Sequence, residues 1–248
     1  MNILRAKFKK EIISEFLPPL RPSKKVIIFC GGMPSYPGKK NDLMEFIAKK
    51  GFWIFLPRYR GSWESAGSFL KISPHYDIID IIDQLPKGFY DLWSSKKYKI
   101  NSPDVYLFGS SFGGPAAILA SKDKRVKKAM IFSPVIDWKV ESKIESIDWM
   151  GKFTREAFGN GYRFSGKDWN KLKSGKFYNP MSEVDSIDGK KLFIIHAKDD
   201  DIVYSKPSED FAEKTGCRFI LLKKGGHLPS SLFISPRFWK EARNFFKE

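Results

Sequence analysis

The chain has 248 residues, 42% of them hydrophobic, which is sufficient for one domain with a sizeable core. Its two cysteines, Cys30 and Cys217, are far apart in sequence, so they suggest neither a disulfide framework nor a metal-ligand motif. The formal net charge of +16 is spread over lysine pairs along the whole chain without an arginine-rich arm, and this favours a solvated surface over a nucleic-acid-binding one.

The predicted elements alternate between strands and helices after an N-terminal segment of one or two strands that ends near residue 17. Apolar runs predict strands at residues 26–30, 52–56, 105–108, 126–132, 191–196 and 218–222. Apolar spacing predicts helices at residues 42–50, 74–85 and 231–247, and a further helix at residues 115–120. This alternation predicts a mostly parallel sheet of about eight strands with helices on both faces and with sites at the C-terminal ends of its strands.

One stretch, about residues 137–179, interrupts the alternation because it has no strand pattern and contains many aromatic residues. We interpret it as a short helical lid insertion over the strand ends of a single domain that covers residues 1–248. Its aromatic side chains either pack the insertion onto the domain or line a pocket for an acyl or aryl group, and the sequence leaves both possibilities open.

The motif that carries chemistry is formed by residues 109–113, with the sequence GSSFG. It follows one apolar run and precedes a helix-forming run, which is the strand–turn–helix context of a nucleophile elbow. Such a turn holds the Ser111 hydroxyl clear of the sheet edge, beside the free N–H groups of the following helix. The alternative is an ordinary turn between a strand and a helix, without chemistry.

A serine hydroxyl needs a base that takes its proton and a carboxylate that orients the base. His227 follows the elbow and lies in a loop after the last strand, so it is the predicted base. His75 precedes the elbow, and His196 ends a strand. The acid is expected among the three consecutive aspartates at residues 199–201, in the loop after the preceding strand.

Residues 195–203, with the sequence IHAKDDDIV, resemble the His-Gly-x-x-Asp-x-Val-Val stretch of α/β-hydrolases. This resemblance implies an α/β-hydrolase fold in which Asp200 is the acid of the triad and His196 is a structural histidine. Some members of the fold place the acid after the sixth strand, where Asp137 lies, so Asp137 is the rival.

Two further segments are similar to the prolyl oligopeptidase family, which includes acylaminoacyl peptidases and single-domain esterases. Residues 57–62 (PRYRGS) resemble that family's Asn-Tyr-Arg-Gly-Ser stretch, and residues 133–138 (SPVIDW) resemble the segment after its sixth strand. The resemblance implies a serine hydrolase with a Ser–Asp–His triad, which forms an acyl-enzyme and needs no metal or cofactor.

The family's His-Gly-Gly-Pro or Tyr-Gly-Gly loop corresponds to residues 30–34, where the sequence reads CGGMP. Because Cys30 offers no tyrosine hydroxyl, backbone N–H groups must form the oxyanion hole. We expect these donors to be the N–H of Phe112 and that of Gly32, or that of Met33 if the loop is shifted by one residue.

The expected function is the hydrolysis of carboxylic esters, because the β-propeller that gates the peptidase members has no counterpart in this sequence. A small acylaminoacyl- or oligopeptidase-like enzyme, with Arg58 or Arg60 binding a peptide terminus, is the first alternative. A non-catalytic binding protein on a hydrolase scaffold is the second. The expected partner is a small acyl ester or a short acyl-peptide, and nucleic acid is not expected.

We also expect a cytoplasmic protein without a membrane span. The first ten residues lack the apolar region of a signal peptide, and no apolar run approaches the ~18 residues of a membrane-spanning helix.

Overall fold

The computed structural model describes residues 2–38 and 40–247. Its strands are β1 (Leu4–Phe8), β2 (Ile12–Leu17), β3 (Lys25–Cys30), β4 (Trp53–Pro57), β5 (Phe89–Tyr90), β6 (Lys97–Tyr98), β7 (Asp104–Ser110), β8 (Val126–Phe132), β9 (Leu192–Ala197) and β10 (Arg218–Leu222). The α-helices are α1 (Asn41–Lys49), α2 (His75–Gln84), α3 (Gly113–Ala120), α4 (Ile147–Phe158), α5 (Gly166–Asn170), α6 (Lys206–Thr215) and α7 (Pro236–Phe245). Short 3-10 helices occupy Gly159–Gly161, Lys171–Ser174, Pro180–Ser186, Gly189–Lys191 and Ser230–Ile234.

An eight-stranded sheet in the order β1-β2-β4-β3-β7-β8-β9-β10 forms the centre of the molecule. The pairs β1–β2 and β2–β4 are antiparallel, and all the other neighbours are parallel. This mixed, mostly parallel sheet with helices on both faces confirms the predicted α/β-hydrolase fold. Strands β5 and β6 form a separate hairpin that the sequence analysis did not predict.

The sheet buries both of its faces, which explains why its parallel strands are continuous apolar runs. In β3, Val26, Ile28 and Cys30 pack into the core on the side of α2, α3 and the insertion. The alternate residues Ile27 and Phe29 pack into a second core, against α1 and α7. The two-residue period of a strand therefore divides one apolar run between two layers.

The predicted helix at residues 231–247 is wrong as a single element. The structure has a 3-10 helix at Ser230–Ile234, and α7 begins only at Pro236. Ser235 is extended, with φ −65° and ψ 145°, and its side chain accepts a hydrogen bond from Phe238 N. The break has a local cause, because proline lacks an N–H and is favoured at the first position of a helix, directly after such a capping serine.

The insertion between β8 and β9 is helical, as its sequence pattern predicts. The two ends of the insertion meet at its base, where they are joined by hydrogen bonds from Trp138 Nε1 to Tyr178 O (2.7 Å) and from Trp138 N to Asn179 Oδ1 (3.0 Å). These contacts lie at the two ends predicted for it, residues 137–179, whose action as a lid stays a prediction. No helix within residues 2–38 and 40–247 has the length and apolar character needed to cross a membrane.

An ion-pair cluster around the buried Asp77 holds the loop after β4. The Arg60 guanidinium contacts the carboxylates of Glu11, Asp77 and Asp80, and its backbone N–H donates to Asp77 Oδ2 at 2.8 Å. Burial raises the pKa of the Asp77 carboxyl to about 6, although its hydrogen bonds with Arg60 and the charge of that residue lower it. The ionised form of the Asp77 carboxyl is therefore stabilised by Arg60.

We expect Arg60→Met to lower the free energy of unfolding by about 3 kcal/mol at about pH 8, because it leaves the buried Asp77 carboxylate without its cation. The loss is expected to be smaller at about pH 5, below the Asp77 pKa of about 6, where the carboxyl is mostly protonated and neutral. Urea unfolding at both pH values measures the difference.

Arg125→Met is the matched control for this prediction. Arg125 pairs with Asp83 and Asp123, but its side chain is 37% exposed. Its replacement is therefore expected to cost less than about 1 kcal/mol at either pH. An equal loss of stability at both pH values in Arg60→Met would contradict the role assigned to Asp77.

Candidate active site

Ser111 lies at the turn between β7 and α3. Its φ is +53°, a left-handed conformation that residues other than glycine seldom adopt. Three backbone hydrogen bonds hold it there, from Ser111 N to Phe132 O (3.1 Å), from Gly114 N to Ser111 O (2.9 Å) and from Val135 N to Ser111 O (3.3 Å). Backbone strain of this kind is concentrated at functional sites, and the turn has the strand–turn–helix geometry of a nucleophile elbow.

Glycines around the elbow allow three chain segments to meet. A Cβ on Gly113 would lie 2.0 Å from Cys30 O, and one on Gly109 would lie 2.8 Å from Ala117 Cβ. A Cβ on Gly32 would lie 3.2 Å from Ser111 Cβ and 3.8 Å from Ser111 Oγ. The loop after β3 therefore packs directly against the serine, which requires small residues on both sides.

His227 and Asp200 come together on the neighbouring strand ends, in the loops after β10 and β9. His227 Nδ1 lies 2.9 Å from Asp200 Oδ2. Leu228 N donates to Ser133 Oγ at 3.2 Å, which ties the His227 loop to the segment that follows β8. The hydrogen bonds of the described residues include none between Ser111 Oγ and His227, and such a bond often tightens only when substrate is bound.

The Asp200 carboxylate is buried and fully hydrogen-bonded. Its Oδ2 also accepts from His196 Nε2 at 3.1 Å, and its Oδ1 accepts from the backbone N–H groups of Ile202 (3.1 Å) and Val203 (2.9 Å). Burial opposes ionisation, but the hydrogen bonds from His196, His227 and Val203 together hold the pKa of Asp200 well below its usual range. Asp200 is therefore an ionised group that can orient His227.

His196 is completely buried and supports Asp200 from the other side. Its Nε2 faces two acceptors, Asp200 Oδ2 and Val203 O at 2.8 Å, so this nitrogen carries the proton. Its Nδ1 lies 2.9 Å from Ser208 Oγ and accepts from that hydroxyl. With both ring nitrogens engaged, His196 has a structural position, as the resemblance implied.

The other candidate acids lie in different environments. Asp137 Oδ1 accepts from Lys139 N (3.1 Å) and from Asn179 Nδ2 (3.1 Å), so it closes the base of the insertion. Asp199 Oδ1 accepts from Gly226 N at 2.9 Å and supports the loop that carries His227. Within the described residues, no group of three or more His, Cys, Asp or Glu side chains is arranged to hold a metal ion.

The three candidate oxyanion donors belong to residues that lie beside Ser111. Gly32 lies against Ser111. Met33 and Phe112 line a pocket together with Ser111. Within residues 2–38 and 40–247, the backbone N–H groups of Gly32, Met33 and Phe112 donate none of the hydrogen bonds found. No internal hydrogen bond therefore excludes any of the three as an oxyanion donor, and the choice between Gly32 and Met33 stays open.

Two buried tyrosines, which the sequence analysis did not single out as site residues, donate hydrogen bonds to backbone carbonyls next to these candidate donors. Tyr59 OH donates to Gly31 O at 3.2 Å, and Tyr178 OH donates to Phe112 O at 2.6 Å. Tyr59 lies within the PRYRGS segment, but nothing in the sequence links it to the glycines after β3. Tyr178 lies at the end of the insertion, 66 residues from its partner, so its role depends on the tertiary fold.

A pocket of about 50 Å³ opens beside Ser111. Apolar side chains from the elbow, the strand ends and the insertion line it: Phe112, Val135, Trp138, Ile147, Met150 and Val203. Glu145 is half-buried in the same wall, and burial together with the charge of Asp200 raises its pKa, while His227 lowers it. Trp138 of the insertion lines this pocket, while Tyr162 and Trp169 pack into the core, and the binding of an acyl or aryl group there stays a prediction.

The sheet, the strained serine turn and the His–Asp pair at the strand ends are the features of the α/β-hydrolase class. The sequence profile of the prolyl oligopeptidase family, Peptidase_S9, matches residues 41–226. The chain belongs to this family, and membership supports its classification as a serine hydrolase. Comparison with curated protein sequences finds no match.

Solved structures with this fold include both peptidases and esterases. Pyrococcus horikoshii acylaminoacyl peptidase has a TM-score of 0.66 at 21% identity, over 99% of this chain and 41% of that protein. The Pyrococcus furiosus esterase Pf2001 has a TM-score of 0.66 at 18% identity, over 99% of this chain and 89% of the esterase. DcsB, solved with its substrate analogue, has a TM-score of 0.72 at 15% identity, over 99% of this chain and 98% of DcsB. The chain thus spans less than half of the peptidase and most of the other two, and at these identities the likeness concerns the fold.

Proposed function

We propose that this protein hydrolyses carboxylic esters through an acyl-enzyme, with Ser111 as nucleophile, His227 as base and Asp200 as the orienting acid. The observation that carries the proposal is the 2.9 Å hydrogen bond between His227 Nδ1 and the buried Asp200, beside a serine strained at φ +53°. A histidine held through Nδ1 has Nε2 available for a serine proton.

The reaction follows from these positions. Ser111 Oγ attacks the acyl carbonyl as His227 Nε2 takes its proton, and Asp200 stabilises the imidazolium that forms. The tetrahedral intermediate collapses to the acyl-enzyme, and His227 gives the proton to the leaving alcohol. Water then attacks with His227 again as base, which releases the carboxylic acid and restores the serine.

The oxyanion of each tetrahedral intermediate is placed against the N–H of Phe112 and that of Gly32 or Met33. Each such donor contributes roughly 3 kcal/mol to the stability of the transition state when it is already oriented. No side-chain hydroxyl is available from position 30, which is Cys30, so the backbone supplies this part of the site.

Two features favour an ester over a peptide. The Arg60 guanidinium is paired with the carboxylates of its cluster, and Arg58 lies 2.8 Å from Glu15 and 3.0 Å from Glu64, so both arginines already have carboxylate partners within the protein. The pocket beside Ser111 is small and mainly apolar, which suits a short to medium acyl or aryl group.

A substrate panel tests this function. Rates are measured on p-nitrophenyl esters of increasing acyl length and on N-acyl amino-acid p-nitroanilides, beside labelling by a fluorophosphonate probe. We expect labelling and a maximum of kcat/KM among the shorter esters. Faster turnover of the anilides would favour the peptidase alternative. A folded protein that neither labels nor turns over any substrate would favour a binding protein, and salt-dependent retention on DNA or on anionic vesicles would then be measured.

A further inference from the structure

The donor on the Phe112 side is fixed by the backbone alone. The Phe112 N–H belongs to the peptide unit whose carbonyl is that of Ser111. This carbonyl accepts hydrogen bonds from Gly114 N (2.9 Å) and Val135 N (3.3 Å). Because a trans peptide is planar, with N–H and C=O pointing in opposite directions, a carbonyl held in this way also fixes the direction of the N–H.

The donor on the other side is held differently. The Gly32 N–H belongs to the Gly31–Gly32 peptide, and the carbonyl of this unit accepts from the Tyr59 hydroxyl at 3.2 Å. Glycines have wide backbone freedom, so two in succession do not by themselves hold a peptide plane in one orientation. A single side-chain hydroxyl thus replaces the pair of backbone hydrogen bonds found at Ser111.

Tyr59 is well placed to impose an orientation. Its side chain is only 5% exposed, and its ring centroid lies 5.7 Å from that of Phe112 and 6.4 Å from that of Phe69. Burial raises the pKa of Tyr59 well above its usual value, so the hydroxyl keeps the proton that it donates. Phe112 belongs to the elbow. Tyr59 therefore contacts the elbow through its ring and the loop after β3 through its hydroxyl, which are the two sides of the proposed oxyanion hole.

We propose that Tyr59 is a positioning residue whose hydroxyl, acting through the Gly31 carbonyl, directs the Gly32 N–H toward the oxyanion. The inference rests on the proposed hydrolase function and makes Gly32, rather than Met33, the donor of the loop. A hydrogen bond to the carbonyl of a peptide also polarises its N–H, which strengthens the donor. Tyr59 touches neither the substrate nor Ser111 Oγ in this scheme.

Tyr59→Phe tests the proposal, because it keeps the buried ring and removes only the hydroxyl. We expect kcat on the best p-nitrophenyl ester to fall roughly 10- to 100-fold, less than the ~10²- to 10³-fold loss for complete removal of a donor. KM is expected to change by less than about 3-fold, because the donor acts mainly on the transition state. Affinity for a trifluoromethyl ketone, which forms a tetrahedral oxyanion on the serine, is expected to fall in proportion to kcat.

The matched control is Tyr162→Phe. Tyr162 is a buried tyrosine, 6% exposed, whose hydroxyl binds the backbone of Ser35 in the same loop at 3.0 Å. Its replacement is expected to leave kcat and the ketone affinity unchanged within about 3-fold. If both variants lost kcat equally, or if Tyr59→Phe changed KM and not kcat, the positioning role would be wrong.

A readout that does not depend on turnover completes the test. In protein labelled with ¹⁵N-glycine, the Gly32 amide resonance is expected to shift in Tyr59→Phe and to stay in place in Tyr162→Phe. An unmoved resonance would overturn the inference even in an active enzyme. Wild-type protein that neither labels nor hydrolyses esters would instead overturn the proposed function, and the oxyanion role of Gly32 with it.

Discussion

Ser111→Ala is expected to abolish fluorophosphonate labelling and to lower kcat on p-nitrophenyl esters by up to about 10⁶-fold, which is the scale of loss when a triad serine is removed. The reason is chemical, because the alanine methyl group cannot form the acyl-enzyme and the remaining groups can only assist direct attack by water. Single-turnover kinetics and mass spectrometry of the labelled protein measure both effects.

Ser110→Ala is the matched control, because Ser110 is the neighbouring serine of the same turn. It ends β7, is 7% exposed and pairs with Phe132 of β8. We expect its replacement to leave labelling intact and to change kcat by less than about 10-fold. Loss of labelling in Ser110→Ala with retention in Ser111→Ala would show that the nucleophile had been assigned to the wrong serine.

Asp200→Asn is expected to lower kcat by about 10⁴-fold while the protein stays folded. The amide no longer offers a charged acceptor to His227 Nδ1, so the ring loses the tautomer that leaves Nε2 free for the serine proton. Asp200 has a pKa well below its usual range, so it stays ionised at neutral pH, and protonation of this group does not produce the acid limb of the pH–rate profile in that range. The profile of kcat/KM and the melting temperature are measured together.

Asp137→Asn is the control that separates the two candidate acids. In the structure, Asp137 contacts Lys139 N and Asn179 Nδ2, whereas the bond to His227 comes from Asp200. Asp137→Asn is therefore expected to retain most of the activity, with a modest loss of stability at the base of the insertion. A larger loss of kcat in this variant than in Asp200→Asn would reverse the assignment of the acid.

The sequence predicted the features that neighbouring residues encode. The strand 126–132 has the predicted bounds, and the elbow follows its strand directly, because an apolar run and a tight glycine-flanked turn are local patterns. The order of serine, acid and histidine along the chain singled out Ser111 and His227 as candidates. The last helix was predicted too long, because the capping serine and proline at residues 235–236 were not recognised as its start.

The tertiary structure decided the questions that depend on distant side chains. Asp137 and Asp200 were both acceptable acids by sequence, and only the folded chain places one of them 2.9 Å from His227. The ion pairs of Arg58 and Arg60 are likewise formed with residues from other strands and helices. Local patterning determined the class of this protein and its candidate nucleophile, because both depend on residues adjacent in the chain. The contact between Asp200 and His227, the walls of the pocket beside Ser111 and the hydrogen bond from Tyr59 to the loop after β3 depend on the packing of separate segments, which only the fold determines.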